Sequence, residues 1–244
     1  MNFILDTLFP KFCLGCQKEG TFLCEDCKAT LEVSEYDYCL CSKHPLLIPP
    51  GQALRRTQGK CNKCSSKRLS GLYFALPYKE KSLTRKLIYQ FKYKPYTKNL
   101  AKTLASLIIE HLIITQKNTD EIWNNAVLIP VPLFSKKLKE RGYNQSEELA
   151  KELSKILRVP VISDSLKKIK QTESQIKLSK EEREKNLRGA FKVIAMSDIA
   201  ILSGKKVFLV DDVYTTGSTM EECARVLRNA GAKSVWGICL AREG

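Results

Sequence analysis

The chain has 244 residues, 43% of them hydrophobic and 27% charged, a composition that fits one or two folded domains and excludes a wholly disordered protein. Lysine and arginine outnumber aspartate and glutamate by 41 to 26, which gives a net charge of +15. This surplus disfavours basic partners and favours nucleic acid, a phosphate-rich ligand or an anionic lipid face, although a lysine-rich genome gives the same surplus to proteins with ordinary roles.

Export and membrane insertion are not expected for this chain. No apolar stretch reaches the ~18 residues of a transmembrane helix, so no transmembrane segment is predicted. Residues 1–14 lack both a basic leading region and a small-residue cleavage site. We therefore expect a cytoplasmic protein.

Eight of the ten cysteines lie in close pairs between Cys13 and Cys64. In a reducing compartment such pairs hold metal more often than they form disulfides. The first set consists of two CxxC knuckles, Cys13-x2-Cys16 and Cys24-x2-Cys27. Together they supply four thiolates, which suit the tetrahedral coordination of Zn²⁺. Four sulfur ligands leave no position for water, so the zinc is interpreted as structural, with an iron–sulfur cluster or free structural thiols as alternatives.

The second set of cysteines is less regular than the first. It consists of Cys39-x-Cys41 and Cys61-x2-Cys64, and one residue between two sulfurs makes a poor knuckle. His44 competes with Cys39 for a ligand position, because Cys41-x2-His44 has usable spacing. We therefore predict one or two structural zinc ions in a module over residues 1–68, which has few apolar residues and needs such a staple to fold.

From residue 71 onward the pattern becomes α/β. Strands and helices alternate, with strands over 72–77, 126–131, 159–162, 207–210 and 235–241 and helices over 83–93, 100–114, 145–157 and 219–230. This alternation predicts a parallel sheet with helices on both faces in a domain over 71–244. One face of the third helix is expected to be apolar and buried: Leu149, Ala150, Leu153, Ile156 and Leu157. His111, Cys223 and Cys239 are interpreted as packed residues.

Residues 71–102 combine positive charge with aromatic rings. The segment contains eight lysines and arginines but one acidic residue, Glu80, and seven aromatic residues are interleaved with the basic ones. Cations that follow a nucleic-acid backbone and rings that stack on bases are typical of single-stranded DNA binding. At least half of the rings are expected to be core residues instead. The candidate DNA contacts lie around Pro95: Lys92, Tyr93, Lys94, Tyr96 and Lys98.

The most informative run covers residues 207–219. An apolar strand ends in Asp211 and Asp212, and a turn of small hydroxyl residues around one glycine leads into a helix: Thr215, Thr216, Gly217, Ser218 and Thr219. Backbone N–H groups at a helix N-terminus favour a phosphate, while carboxylates accept hydrogen bonds from sugar hydroxyls or hold a divalent cation. The ligand so predicted has a phosphate at one end and a diol in the middle; a structural turn with helix caps is the alternative. The run matches neither GxxxxGK[ST] nor GxGxxG.

The run VFLVDDVYTTGST resembles the phosphoribosyl pyrophosphate (PRPP) signature of type I phosphoribosyltransferases. With the leading CxxC pairs and three further motifs, nearly the whole chain resembles the ComF family of competence-associated proteins; these motifs are Ile129-Pro-Val-Pro132, Arg141-Gly-Tyr-Asn-Gln145 and Asn186-Leu-Arg-Gly-Ala-Phe191. Cys39-x-Cys41 departs from the family, which usually has CxxC there. The resemblance implies a type I phosphoribosyltransferase-like α/β fold preceded by a double zinc ribbon.

The resemblance also implies roles for particular residues. Asp211 and Asp212 would hold the ribose hydroxyls of PRPP, and Thr215 to Thr219 would hold its 5′-phosphate. The pyrophosphate end, with Mg²⁺, would meet a cationic run, Lys136, Lys137, Lys139 and Arg141, for which a solvated face is the alternative interpretation.

The function implied is that of a ComF-like protein that handles incoming single-stranded DNA during natural transformation, with a competence helicase as an expected partner. Two alternatives stay open: an active phosphoribosyltransferase that passes ribose 5-phosphate from PRPP to an acceptor, and a PRPP-sensing regulator. Because the sequence indicates neither a general base nor an acceptor pocket, the catalytic residues are unknown. A glutamine amidotransferase is disfavoured, since the early cysteines are assigned to metal.

Overall fold

The computed structural model describes residues 10–35, 37–40, 45–46, 64–93, 97–172, 182, 186–194 and 200–243. In chain order the strands are β1 (Asp37–Tyr38), β2 (Pro45–Leu46), β3 (Leu72–Tyr78), β4 (Ala126–Pro130), β5 (Leu166–Lys168), β6 (Phe191–Val193), β7 (Lys206–Tyr214) and β8 (Ser234–Glu243). The helices are α1 (Glu25–Ala29), α2 (Leu83–Lys92), α3 (Leu100–Ile114), α4 (Asp120–Trp123), α5 (Ser135–Arg141), α6 (Gln145–Leu157) and α7 (Ser218–Asn229). Within these ranges no helix is both long and apolar enough to cross a membrane.

The central sheet has four parallel strands in the order β3-β8-β7-β4. Val207 of β7 lies between Val127 of β4 and Val235 of β8, so buried β-branched side chains meet across the middle of the sheet. Residues 160–162 extend the β4 edge by a single bridge, in which Leu128 N–H donates to Pro160 O at 2.9 Å. The strand predicted over 159–162 is thus reduced to one bridge.

Helices cover both faces of this sheet, as the alternation of elements predicts. Side chains of α2, α3 and α6 form one core with Phe208 and Val210 of β7. Side chains of α7 form the other with Val207 and Leu209. The bounds predicted for α3 and α6 are confirmed.

The predicted buried face of α6 is confirmed except at its end. Leu149, Ala150 and Leu153 are fully buried, but Ile156 is 52% exposed. The prediction was wrong for Ile156 because it lies at the edge of the apolar stripe, beyond the reach of the sheet.

The aromatic rings of residues 71–102 divide between core and surface. Tyr73, Phe74 and Phe91 are buried, whereas Tyr89 and Tyr93 are 58% and 44% exposed. His111 is buried and its Nδ1 donates to Ser34 O at 2.6 Å, so it is a packed residue as predicted. Cys223 and Cys239 are also fully buried.

The cysteine-rich segment packs on the sheet edge that β3 would otherwise expose. Ser34 N–H donates to Ala75 O of β3 at 2.7 Å, and Leu23 belongs to the core on the α2 and α3 face. Lys28 of α1 pairs with Glu110 of α3 at 3.0 Å. An uncovered edge strand promotes association with other chains, so this packing gives the segment a protective role in the fold.

Candidate functional site

The first cysteine set converges as predicted. The sulfurs of Cys13, Cys16, Cys24 and Cys27 all lie within 4.8 Å of one another. A side chain on Gly15 would come within 2.5 Å of the Cys27 Sγ, so the knuckle needs glycine there. Burial would raise the pKa of the Cys13 thiol, but hydrogen bonds from backbone N–H groups of the two knuckles lower it to about 6. The four convergent sulfurs could bind zinc.

The second cysteine set is described only in part. Cys39 and Cys64 are buried and their Sγ atoms lie 3.7 Å apart. Cys41, His44 and Cys61 lie outside the described residues. The second zinc site and the choice between Cys39 and His44 therefore stay predictions.

The predicted phosphate loop lies at the carboxyl end of β7, in the middle of the sheet. β7 ends at Tyr214, and α7 begins at Ser218 with Gly217 as its N-cap residue. Gly217 has φ of +77°, and a Cβ built on it would lie 2.2 Å from the Tyr214 Oη. Both the left-handed backbone and the close approach of the Tyr214 ring therefore require glycine.

The amides of this loop are available to a ligand. Among the residues that the structure describes, the backbone N–H groups of Thr215, Thr216, Gly217 and Thr219 donate to no protein acceptor. The Thr216 and Ser218 hydroxyl oxygens lie 3.0 Å apart. Unpaired N–H groups at the N-terminus of a 12-residue helix form a site suited to an anion.

The two carboxylates before the loop have different partners. Asp211 is partly buried, and its Oδ1 accepts from the Ser146 Oγ and from the Asp212 N–H, each at 2.9 Å. Asp212 is 5% exposed, and its Oδ1 lies 2.9 Å from the Lys92 Nζ.

These surroundings raise the pKa values of both Asp211 and Lys92. Burial, followed by the neighbouring Asp212 charge, raises the pKa of Asp211 to about 7, against the opposing effects of Lys92 and Ser146. Burial alone would lower the pKa of Lys92, but the Asp212 carboxylate reverses this and raises it. Asp211 and Asp212 form the acidic end of β7. At neutral pH this acidic end holds the ion pair between Asp212 and Lys92, and the Asp211 carboxyl group is near the midpoint of its titration.

The turn from Arg141 to Gln145 holds these side chains in place. The Tyr143 hydroxyl donates to Phe91 O at 2.6 Å, just before Lys92. Asn144 donates to Val131 O at 3.1 Å, after β4, while its Oδ1 accepts from Ser146 N–H at 3.2 Å. This motif thus ties the end of α2 and the end of β4 to the first turn of α6, which carries Ser146.

The cationic run predicted for a pyrophosphate lies on the short helix α5. Lys136, Lys137 and Lys139 are exposed, and Arg141 donates to Gln145 Oε1 at 2.9 Å. Lys168 of the β5–β6 hairpin has a lowered pKa because of burial and the positive charge of Lys137. Lys137 of α5 therefore lies within electrostatic reach of Lys168, which also interacts with Asp211.

The described members of the predicted DNA contacts, Lys92, Tyr93 and Lys98, each have a different partner. Tyr93 is exposed, lies 4.8 Å from Tyr89 between ring centroids, and has the Arg141 guanidinium 5.6 Å above its ring. Lys98 pairs with Glu148 at 3.3 Å, and Lys92 pairs with Asp212. Lys94 and Tyr96 lie outside the described residues.

Two residues of the site were not anticipated from the sequence. Ser146 directly follows the Arg141–Gln145 motif and lies in the first turn of α6, so its position after a motif is a signal that could have found it. Lys168 lies in a three-residue strand whose pairing partner is more than twenty residues away, and no local pattern indicated it.

Comparisons with known proteins agree with this architecture. Residues 143–244 match the Phosphoribosyl transferase domain family, which covers the Asp211 strand, the phosphate loop and α7. Competence protein F of Haemophilus influenzae is 30% identical over 228 residues, which are 90% of this chain and 97% of that protein.

Two further relatives match over shorter lengths. The DNA utilization protein YhgH of Escherichia coli is 31% identical over 156 residues, 64% of this chain and 66% of that protein. Competence protein ComFC of Bacillus subtilis is 34% identical over 118 residues, 48% of this chain and 45% of that protein. The near-complete match to Competence protein F shows that the chain belongs to the ComF family, competence-associated proteins with a phosphoribosyltransferase-type domain.

Proposed function

We propose that the chain binds PRPP or a related phosphorylated ribose across the phosphate loop and Asp211. The observation that carries this is the set of unpaired N–H groups of the loop, at a helix N-terminus directly beyond a strand that ends in two carboxylates. Ligands of parallel α/β sheets bind beyond the carboxyl ends of the strands. The match of this segment to the Phosphoribosyl transferase domain supports the same ligand class.

The proposed ligand uses each part of the site for different chemistry. The 5′-phosphate takes the loop amides and the Thr216 and Ser218 hydroxyls. A ribose hydroxyl donates to the Asp211 Oδ2, which no donor reaches among the described residues. A diphosphate on the far carbon of the ribose meets the α5 lysines Lys136, Lys137 and Lys139 and the neighbouring Arg141, where Mg²⁺ would reduce its charge.

Isothermal titration calorimetry tests this proposal with three ligands: PRPP, ribose 5-phosphate and ribose. We expect binding of both phosphorylated ligands and none of ribose, because the loop recognises the phosphate. Asp211→Ala combined with Asp212→Ala should weaken both phosphorylated ligands, whereas Asp120→Ala, an exposed residue at the start of α4, which precedes β4, should not. Unchanged affinity in the double variant would contradict the assignment of the pocket.

We also propose that this site works within a protein that handles single-stranded DNA during natural transformation. Tyr89 and Tyr93 form an exposed ring pair beside Arg141, on a chain with a net charge of +15. The names of two relatives, a competence protein and a DNA utilization protein, fit a nucleic-acid role. A competence helicase as partner stays a prediction from the family resemblance.

Fluorescent single- and double-stranded oligonucleotides across a salt series test the DNA proposal. Base stacking contributes about 1–3 kcal/mol per base, so Tyr93→Ala should weaken single-strand binding about tenfold. Tyr78→Ala, a partly buried tyrosine at the end of β3, is the matched control. Equal affinity for both DNA forms would indicate attraction by bulk charge and contradict a stacking surface.

Transfer of the ribose 5-phosphate and sensing of PRPP without turnover are the alternatives for the same site. Release of pyrophosphate from PRPP, measured with candidate bases and with or without single-stranded DNA, separates them. Release with a base assigns a transferase; binding without release assigns a sensor. A change on adding DNA would couple the two proposed ligands.

We propose that residues 1–68 form a zinc ribbon preceding a phosphoribosyltransferase-like domain over 71–244, with structural zinc on the first cysteine set. Metal analysis of the purified protein should find one or two zinc ions per chain. Cys16→Ser alters the exposed ligand of the set and should remove one zinc, while Cys239→Ala, a core cysteine, should remove none. A zinc-free protein would contradict the ribbon.

A further inference from the structure

Lys92 pairs with one carboxylate oxygen of Asp212. Its Nζ lies 2.9 Å from the Asp212 Oδ1, and the side chains are 24% and 8% exposed. Lys92 is also the last residue of α2, where the helix dipole favours a cation. Two independent features therefore hold this ammonium group beside the carboxylate.

The position of Lys92 is fixed by its neighbour in the chain. Phe91 is fully buried, and its carbonyl accepts from the Tyr143 hydroxyl at 2.6 Å and the Gln145 Nε2 at 3.3 Å. These contacts bind the end of α2 to the turn that also carries Ser146. The Lys92 side chain consequently starts from a backbone with little freedom to move away.

Asp211 and Asp212 offer few free oxygen ligands to a divalent cation. Mg²⁺ requires several oxygen ligands in near-octahedral geometry, but the Asp212 Oδ1 is taken by an ammonium group and the Asp211 Oδ1 by Ser146 and a backbone N–H. Lys168, on the neighbouring hairpin, adds a second positive charge within reach of Asp211. With one oxygen of each carboxylate already engaged, the two residues offer few ligands to a Mg²⁺ ion held between them.

We propose that Lys92 is the internal cation of the sugar-phosphate site: it neutralises Asp212 and allows a monophosphorylated ribose to bind without a divalent cation. This rests on the proposed function and names its ligand class. A buried carboxylate without a counter-charge repels an incoming phosphate and is itself unstable. With Lys92 in place, the floor of the site carries little net charge, and Asp211 alone accepts from the sugar.

Calorimetry of ribose 5-phosphate with the full-length protein tests this. The magnesium-free buffer is passed over a chelating resin before the protein is added, so that cysteine-bound metal is retained. We expect the wild-type dissociation constant to change less than about threefold on adding Mg²⁺, since the counter-charge is already present. Binding only with Mg²⁺ would overturn the role of Lys92 and leave the proposed function standing; binding under neither condition would overturn the proposed function itself.

Variants separate charge balance from direct contact with the ligand. Lys92→Met should weaken binding about tenfold or more without Mg²⁺, because it leaves Asp212 unpaired, and added Mg²⁺ should recover part of the loss. Lys86→Met, which removes the same charge from the exposed face of α2, should bind like the wild type. Wild-type affinity in Lys92→Met without Mg²⁺ would overturn the proposal.

The combined variant Lys92→Met, Asp212→Asn removes both charges of the pair and avoids an unpaired buried group should the single variant fold poorly. We expect it to bind within about threefold of the wild type in magnesium-free buffer, because a neutral pair also spares the phosphate from repulsion. A double variant as weak as Lys92→Met would mean that Lys92 contacts the ligand itself, which would overturn charge balance as its role.

Discussion

The phosphate loop and the acidic end adjoin each other in the chain but are built in different ways. The loop is assembled from consecutive residues, Tyr214 to Thr219, whose backbone supplies the anion site. The acidic end takes its properties from Lys92 of α2 and Ser146 of α6, both distant in sequence from Asp211 and Asp212. The affinity of the loop for phosphate is therefore encoded locally, whereas the charge of the carboxylates depends on the tertiary fold.

The largest effect on stability and ligand affinity is expected from one substitution in the phosphate loop. Gly217→Ala adds a Cβ 2.2 Å from the Tyr214 Oη at a φ of +77°. We expect the free energy of unfolding to fall by about 2–4 kcal/mol, from overpacking and backbone strain together. Ribose 5-phosphate affinity should fall at least about tenfold, because the displaced backbone no longer directs its N–H groups at the phosphate. Urea denaturation and calorimetry measure the two effects.

Gly204→Ala is the matched control for this substitution. Gly204 also has a positive φ, +71°, but nothing lies within 4 Å of an added Cβ. It should cost about 1 kcal/mol of stability from backbone strain alone and leave ligand binding unchanged. If both alanine variants bind like the wild type, the loop does not hold the phosphate.

The acidic end should instead change how the free energy of unfolding depends on pH. The pKa of Asp211 is raised by burial to about 7 from an ordinary value near 3.8, so the folded state binds a proton that the unfolded state has lost. Stability from this group is fully present below about pH 4 and is lost as the pH rises to about 7. Asp211→Asn removes this dependence, so its stability relative to the wild type should increase across that interval and then level off.

Urea denaturation of both proteins at closely spaced pH values gives this difference curve. The change per pH unit cannot exceed about 1.4 kcal/mol for one proton, and the partial exposure of Asp211 reduces it. Asp120→Asn, which changes an exposed carboxyl at the start of α4, is the control for any general effect of replacing an aspartate with asparagine. A flat curve for Asp211→Asn would show that the carboxylate is not desolvated.

The same contrast explains what the sequence could predict. The hydroxyl-rich turn, the bounds of α3 and α6, and the convergence of the first four cysteines all follow from short-range spacing. The bridge at residues 160–162 and the exposure of Ile156 depend on where other elements lie, so periodicity misjudges them. The local charge context predicts Lys92 as a DNA contact, and no local pattern indicates that its ammonium group meets a carboxylate 120 residues later.

Tyr143→Phe should weaken the support of Lys92 at the acidic end and leave the phosphate loop unchanged. It removes the hydroxyl that donates to Phe91 O at 2.6 Å, and a buried hydrogen bond of this kind contributes about 1 kcal/mol. We expect a stability loss of that size and weaker ribose 5-phosphate binding, since Lys92 is held less firmly. Inorganic phosphate, which uses the loop alone, should bind with unchanged affinity. Tyr78→Phe is the control, and equal losses for both ligands would mean that the two ends are not independent.

The smallest expected effect comes from Ser146→Ala. The Ser146 hydroxyl donates to the Asp211 Oδ1 at 2.9 Å and lowers the pKa of that carboxyl, so its removal should raise the Asp211 pKa further above the ordinary range. Near neutral pH more of Asp211 is then protonated and less able to accept from a sugar hydroxyl. Ribose 5-phosphate affinity should fall about two- to fivefold, with no effect on inorganic phosphate. A carbon-13 NMR titration of the aspartate carboxyl groups follows the pKa directly, with Ser154→Ala on the same helix as control. A downward shift would mean that water replaces the serine as a better donor, and the acidic end would then be set by solvent instead of by α6.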